Sequence, residues 1–242
     1  IATETLRLAN DASIELFEQT GQSHNYVFNR ANHNCVLLEN STVKCWGDNS
    51  TGRLGQGNVN NLGDGVGEMG DSLATVDFGS GRTVLSMGVG RGTFSCAILD
   101  NGTLKCWGNN GSGQLGQGNI NIRGDQANEM GDNLAPINLG TNRTARVVQL
   151  GASHVCAILD NGAVKCWGSN DFGALGLGDT AFRGDGAGEM GDSLPTVNLG
   201  TNRTARTLAL GNNNTCALLD NGTVKCWGYN LYGQLGLEDT AA

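Results

Sequence analysis

The chain has 242 residues, a net charge of −8, 39 glycines and only 2 prolines. Its 15 basic residues are outnumbered by 23 acidic ones and form no run, which argues against nucleic acid as a partner. No apolar stretch approaches the ~20 residues of a membrane helix, and so many glycines without a Gly-X-Y period point to tight turns rather than a triple helix.

Taken in order, residues 1–25 read as an N-terminal segment or the end of a preceding unit. They start at Ile1 with no basic-then-apolar leader, which suggests a processed chain or a fragment. Four repeats follow, over residues 26–78, 79–139, 140–199 and, incompletely, 200–242. They are marked by Cys35/Cys45, Cys96/Cys106, Cys156/Cys166 and Cys216/Cys226, each pair 10 apart and successive pairs offset by 61, 60 and 60. Each second cysteine opens Cys-Trp-Gly, and an Asn-rich turn then leads into Gly-x-Leu-Gly, as in Gly113-Gln114-Leu115-Gly116.

The first repeat departs from the others. Its strand from Tyr26 to Phe28 is polar and irregular, and its turn Glu39-Asn40-Ser41 lacks glycine, so it reads as a terminal, edge-protecting unit. The third repeat shows the expected elements most plainly. Thr144 to Leu150 is a strand, His154 to Leu159 a second, Asp160-Asn161-Gly162 a turn, Ala163 to Gly168 a third strand and Pro195 to Leu199 a short fourth. Four short antiparallel strands per ~60-residue repeat, with no 3.6-residue period, predict an all-β fold of β-propeller blades, part of a larger ring or assembly.

The spacing of the cysteines follows from the hairpin. Asp-Asn-Gly suits a three-residue loop with glycine in the left-handed position. With Leu99 opposite Thr103, Ile98 faces Leu104, Ala97 faces Lys105 and Cys96 faces Cys106. Directly opposed residues lie roughly 4.5–5.5 Å apart, within disulfide reach. Four cross-strand disulfides are therefore expected, and zinc is disfavoured because its cysteine pairs stand two to four apart. Bridges imply an oxidising compartment, hence a secreted or cell-surface protein.

Eight asparagines stand in Asn-x-Ser/Thr: Asn40, Asn49, Asn101, Asn110, Asn142, Asn202, Asn213 and Asn221. All fall in predicted turns or strand ends, where a glycan would reach solvent. The first three repeats carry an acidic insert with Asp64, Glu68 and Asp71, then Asp125, Glu129 and Asp132, then Asp185, Glu189 and Asp192. Two readings compete. In one, these carboxylates and loop carbonyls hold calcium. In the other, which the pattern favours, Asp caps a helical turn, Met and Leu pack down and no cofactor is needed. Arg123-Gly-Asp125 and Arg183-Gly-Asp185 also spell an adhesion tripeptide, a weak signal in a glycine-rich chain.

No catalytic constellation is present. The histidines, His24, His33 and His154, do not recur in every repeat, and no nucleophile elbow, phosphate loop or zinc-protease helix is found. The tryptophans Trp46, Trp107, Trp167 and Trp227 recur at one position, as packing residues do.

The run from Cys216 to Gly236, Cys-Ala-Leu-Leu-Asp-Asn-Gly-Thr-Val-Lys-Cys-Trp-Gly-x-Asn-x-x-Gly-Gln-Leu-Gly, resembles the repeat of the regulator of chromosome condensation family, in its cysteine-bearing extracellular branch. The likeness covers the chain after about residue 25 and implies four-stranded propeller blades, usually seven to a ring. Family members share binding through propeller faces and loops rather than a common chemistry. The expectation is a non-catalytic extracellular scaffold that binds a protein or glycan partner or assembles with other copies. A propeller-type inhibitor of an enzyme is the first alternative. An intracellular GTPase or chromatin regulator is the second, at odds with the paired cysteines and acidic charge.

Overall fold

A computed structural model describes residues 26–30, 32–90 and 93–240. The N-terminal segment 1–25, with His24, lies outside the described residues. Twelve strands form four antiparallel three-stranded sheets in chain order. They are β1 Tyr26–Arg30, β2 His33–Leu37 and β3 Val43–Gly47; β4 Val84–Val89, β5 Phe94–Leu99 and β6 Leu104–Gly108; β7 Ala145–Leu150, β8 His154–Leu159 and β9 Val164–Gly168; β10 Ala205–Leu210, β11 Asn214–Leu219 and β12 Val224–Gly228.

The hairpin register is as expected from the cysteine spacing. Ile98 pairs with Leu104, Ala97 with Lys105 and Cys96 with Cys106, and the Leu99 N–H donates to the Thr103 carbonyl at 2.9 Å. Gly102 takes the left-handed turn position at φ 76°, and in the first repeat Ser41 takes it at φ 62°. The first strands β4, β7 and β10 each carry a register shift after their opening residue, a bulge that bends the strand and increases its twist.

The expected fourth strand is reduced to a single contact. Pro195 to Leu199 is extended but belongs to no sheet, and Val197 N–H donates to the Val164 carbonyl at 2.8 Å. Ile137 to Leu104 and Val76 to Val43 repeat that bond. The two prolines of the chain, Pro136 and Pro195, sit in these segments, where a missing N–H prevents a longer ladder.

The core lies between sheets. Phe94, Ile98 and Leu104 of the second sheet pack with Val148, Val155, Leu159 and Trp167 of the third, and equivalent clusters join the first sheet to the second and the third to the fourth. β5 and β8 are therefore buried on both faces, whereas β11 alternates buried with half-buried residues and β12 runs from exposed Val224 and Lys225 to buried Gly228. A strand covered on both sides hides every side chain, and one covered on a single side hides every second one. The sheets are blades packed face to face in sequence.

Candidate functional site

All eight described cysteines are bridged, Cys35–Cys45, Cys96–Cys106, Cys156–Cys166 and Cys216–Cys226, with Cα separations of 4.0–4.1 Å. The hairpin stage on which loops are displayed is thus covalently closed in every blade.

Each blade is joined to the next by one recurring set of contacts. The indole Nε1 of Trp107, Trp167 and Trp227 donates to the carbonyl of Arg53, Gln114 and Ala174, the variable residue of the preceding Gly-x-Leu-Gly, at 2.9, 3.0 and 2.9 Å. The motif's Leu54, Leu115 and Leu175 are fully buried. Its last glycine must be small, since a Cβ on Gly116 would stand 2.9 Å from Trp167 Nε1. Lys165 Nζ donates to the carbonyls of Leu139 and Gly191 at 2.9 and 2.6 Å, and Lys105 does the same to Phe78 and Gly131. Burial holds both ammonium groups below their ordinary pKa.

The described histidines belong to these junctions. His33 Nε2 lies 3.2 Å from Ser95 Oγ and His154 Nε2 lies 3.0 Å from Thr215 Oγ1, across adjacent blades. Thr215 donates its own hydrogen to the Ala174 carbonyl at 2.9 Å, so His154 Nε2 carries the proton of their bond. At the junction of the second and third blades the same two positions hold Phe94 and Val155, both fully buried. Burial lowers the pKa of both histidines from 6.5 to about 4, helped at His33 by the Arg53 charge.

The inserts act as clasps. Each forms a short 3-10 turn, Gly70–Ser72, Gly131–Asn133 and Gly191–Ser193, without a side-chain cap. The expected Asp cap is therefore absent, because methionine (Met69, Met130 and Met190) holds the cap position and the aspartate lies inside the turn. Glu68, Glu129 and Glu189 each accept two backbone N–H bonds inside their own loop at 2.8–3.1 Å. Asp132 accepts from the N–H and hydroxyl of Ser80 at the start of its own repeat, and Asp192 from those of Thr141. These bonds hold the carboxyls of Glu68, Asp132 and Asp192 below their usual range. Burial, with the Glu189 carboxylate beside it, raises that of Asp185. Asp64 and Asp71 are exposed. Leu73, Met130, Leu134 and Leu194 pack down as expected, whereas Met69 of the first insert is 42% exposed. Asp185 and Glu189 stand together while Asp192 turns to Thr141, and no cluster of three or more metal-ligating side chains occurs among the described residues. The adhesion tripeptides lie inside the clasps: Gly124 and Gly184 are buried and Arg183 is paired with Asp179 at 2.7 Å.

The sequons divide. Asn40, Asn101, Asn142, Asn202 and Asn221 are exposed and Asn213 is half-buried. Asn49 and Asn110 are fully buried, which corrects the expectation that all eight reach solvent. Their Oδ1 accepts from the N–H of Leu54 and Leu115 at 2.9 Å, and their Nδ2 donates to the carbonyls of Asn58 and Asn119 at 2.7 Å. Asn170 and Asn230, which lack the sequon, hold the same bonds to Leu175 and Leu235.

One cluster has no counterpart in the other repeats and was not anticipated. In the turn after Trp-Gly, the third blade places Phe172 and the fourth Tyr229 and Tyr232. Phe172 meets Tyr229 edge-on at 4.7 Å between ring centroids, and Tyr229 meets Tyr232 at 6.2 Å. Phe172 is 41% exposed, Tyr232 83% and the adjacent Leu231 56%. The first two repeats have Asp48, Thr51, Asn109 and Ser112 at the positions of these aromatics. Setting the four copies of this turn beside one another is the signal that would have found the cluster. Exposed aromatics in mutual contact are a hallmark of binding surfaces, since they offer large rigid contact area at low entropic cost.

The Regulator of chromosome condensation (RCC1) repeat model matches residues 31–53, 84–114, 146–174 and 206–234, one segment in each blade. The chain belongs to the regulator of chromosome condensation repeat family. Among curated proteins it is 29% identical to the Ultraviolet-B receptor UVR8 of Arabidopsis thaliana, over 86% of this chain and 42% of that one. It is also 29% identical to the Probable E3 ubiquitin-protein ligase HERC6 of Homo sapiens, over 85% and 18%. The chain thus spans less than half the length of the curated relatives it matches. Among solved structures, human WBSCR16 superposes with a TM-score of 0.67 at 19% identity, over 89% of this chain and 50% of that one. Prp20p of Saccharomyces cerevisiae superposes at 0.60 and 20%, over 82% and 42%. These likenesses establish the RCC1-type β-propeller fold.

Proposed function

We propose that this propeller segment is a non-catalytic scaffold, working outside the reducing cytosol, that docks a protein partner through the aromatic cluster of Phe172, Tyr229 and Tyr232. That cluster carries the reading: it breaks the repeat where everything beneath it is copied, and it leaves Phe172 and Tyr232 exposed on the turns of the third and fourth blades. Prp20p, which shares the fold, has binding properties toward Gsp1p and histones, and this supports protein binding as the mode of the fold. Chemistry has little to work with, since the described cysteines are bridged and both described histidines are buried between blades. Four disulfides support the extracellular setting, and the surface sequons suit it.

The test is co-purification from the medium and cell fractions of the source, comparing the wild-type chain with Phe172→Ala/Tyr229→Ala/Tyr232→Ala. A partner lost from the triple variant at unchanged melting temperature supports the reading. Retention of every partner refutes the site. Alkylation and mass spectrometry of the natively isolated protein test the setting: four intact bridges are expected, and free thiols refute it.

A further inference from the structure

The two ends of the blades use their asparagines differently. At one end, the turns β2–β3, β5–β6 and β11–β12 carry Asn40, Asn101 and Asn221, and the segments leading into β7 and β10 carry Asn142 and Asn202. These two kinds of segment meet. Arg143 pairs with Asp160 of the β8–β9 turn at 2.9 Å, and Arg203 with Asp220 of the β11–β12 turn at 3.2 Å. The N–H groups of Ala145 and Ala205 donate to the carbonyls of Gly102 and Gly162. The exposed sequons therefore share one side of the array. Asn101 and Asn142 are exposed in blades packed on both flanks, and so is Asn161, the third blade's counterpart of Asn101 without a sequon. At Asn40, Asn101 and Asn221 the amide oxygen accepts from the N–H and hydroxyl of the threonine two residues on, the hydroxyl at 2.7–2.8 Å. Those bonds do not use the amide nitrogen, which is the atom that carries a sugar.

The opposite end is closed to sugars. There each Trp-Gly turn bonds to the loop before the middle strand, Asp48 N–H to the carbonyl of Asn32, Asn109 to Thr93, Ser169 to Ser153 and Tyr229 to Asn213. Asn49 and Asn110 lie in these turns, fully buried, with their amide nitrogens bonded to the carbonyls of Asn58 and Asn119. The sequon of Asn213 ends in Thr215, whose buried hydroxyl is held between His154 and the Ala174 carbonyl. Phe172, Tyr229 and Tyr232 stand at this same end. Strands of five or six residues separate the two ends by roughly 17–20 Å.

We infer that the protein is N-glycosylated on one side only, at Asn40, Asn101, Asn142, Asn202 and Asn221, and that the side bearing the aromatic cluster is bare. The modification joins Asn Nδ2 to C1 of an oligosaccharide carried on a lipid diphosphate. The C1–N bond forms, the C1–O bond to the diphosphate breaks, the amide gives up one proton and the lipid diphosphate leaves. Bulky, hydrated sugars keep the glycosylated side out of protein interfaces and leave the other side to partners. The inference rests on the extracellular setting proposed above and is independent of whether the aromatic cluster docks a partner.

Protein isolated from its natural source is alkylated and mapped by mass spectrometry, with glycans released by a peptide amidase in heavy-oxygen water, which leaves labelled aspartate wherever a glycan was attached. Label at the exposed asparagines, none at Asn49, Asn110 or Asn213, and intact bridges are expected. Intact bridges with the exposed asparagines unlabelled overturn the inference and leave the extracellular setting standing. Label at Asn49, Asn110 or Asn213 also overturns it, because the two sides are then not distinguished. Free thiols overturn the setting and the inference together.

Discussion

Replacing His154 and Thr215 together by Phe and Val isolates the pH dependence of a single blade junction. The chain already contains this exchange, since Phe94 and Val155 occupy the two positions one junction earlier. In the folded protein the His154 imidazole takes a proton only near pH 4, against 6.5 for the free side chain. Between those values the unfolded chain binds a proton that the folded one refuses, so stability is full above about 6.5 and falls as the pH drops toward 4. At pH 5 the loss amounts to about 2 kcal/mol per histidine. His33, with its Nδ1 buried and unpartnered, contributes a similar loss.

The double variant gives up the imidazole–hydroxyl bond and the Thr215 bond to Ala174, whose carbonyl keeps the Trp227 indole. Its stability at pH 7.5 is expected within about 1 kcal/mol of wild type. Urea denaturation at pH 7.5 and pH 5.0 then compares the two. Wild type should lose about 2 kcal/mol more than the variant over that interval. The carboxylates titrate in both proteins and cancel in the difference. Equal losses would show that His154 is protonated in the folded state well above pH 5 and refute the reasoning.

Lys165→Met leaves the Leu139 carbonyl unpaired and the Gly191 carbonyl with only the Leu194 N–H, and should cost about 2 kcal/mol by urea denaturation, while Lys225→Met, at an exposed position, should cost near zero. Trp167→Phe removes the bond to Gln114 and opens a void between blades, at about 2 kcal/mol, measured the same way. Because Glu68, Glu129, Glu189, Asp132 and Asp192 are occupied by N–H and hydroxyl donors, excess calcium or a chelator should move the melting temperature by less than about 1 °C. Asn49 and Asn110 should be unmodified in glycopeptide maps of protein from a glycosylating source, and Asn49→Gln should destabilise by about 2 kcal/mol because its buried amide closes the turn onto Leu54.

What could be read from the chain beforehand was whatever local geometry dictates. A ten-residue cysteine spacing around Asp-Asn-Gly admits one register, and Cys96 opposite Cys106 follows by counting. The fourth strand is shorter than its sequence implies, because the composition of Pro195 to Leu199 says nothing about whether an edge is open to a proline-bearing segment. Asn49 was misplaced for a related reason. Asn-Ser-Thr is a surface motif by composition, but here the amide closes the turn onto Leu54 and Asn58, a role that appears only when Asn170 and Asn230 are seen to do the same without the threonine. The junctions between blades are the least legible, because they join residues more than fifty apart in the chain: Trp167 with Gln114, His154 with Thr215. Yet their logic is written in the differences between copies. Where one repeat has His and the next Thr, a hydrogen bond crosses the junction; where one has Phe and the next Val, an apolar contact does. By the same rule, Phe172 and Tyr229 are a matched pair across the third junction, whereas Tyr232 reaches past that junction with most of its ring in solvent. By position Tyr232 is the fourth blade's counterpart of Phe172, and it is these aromatics, absent from the same turn of the first two blades, on which the proposed docking role rests.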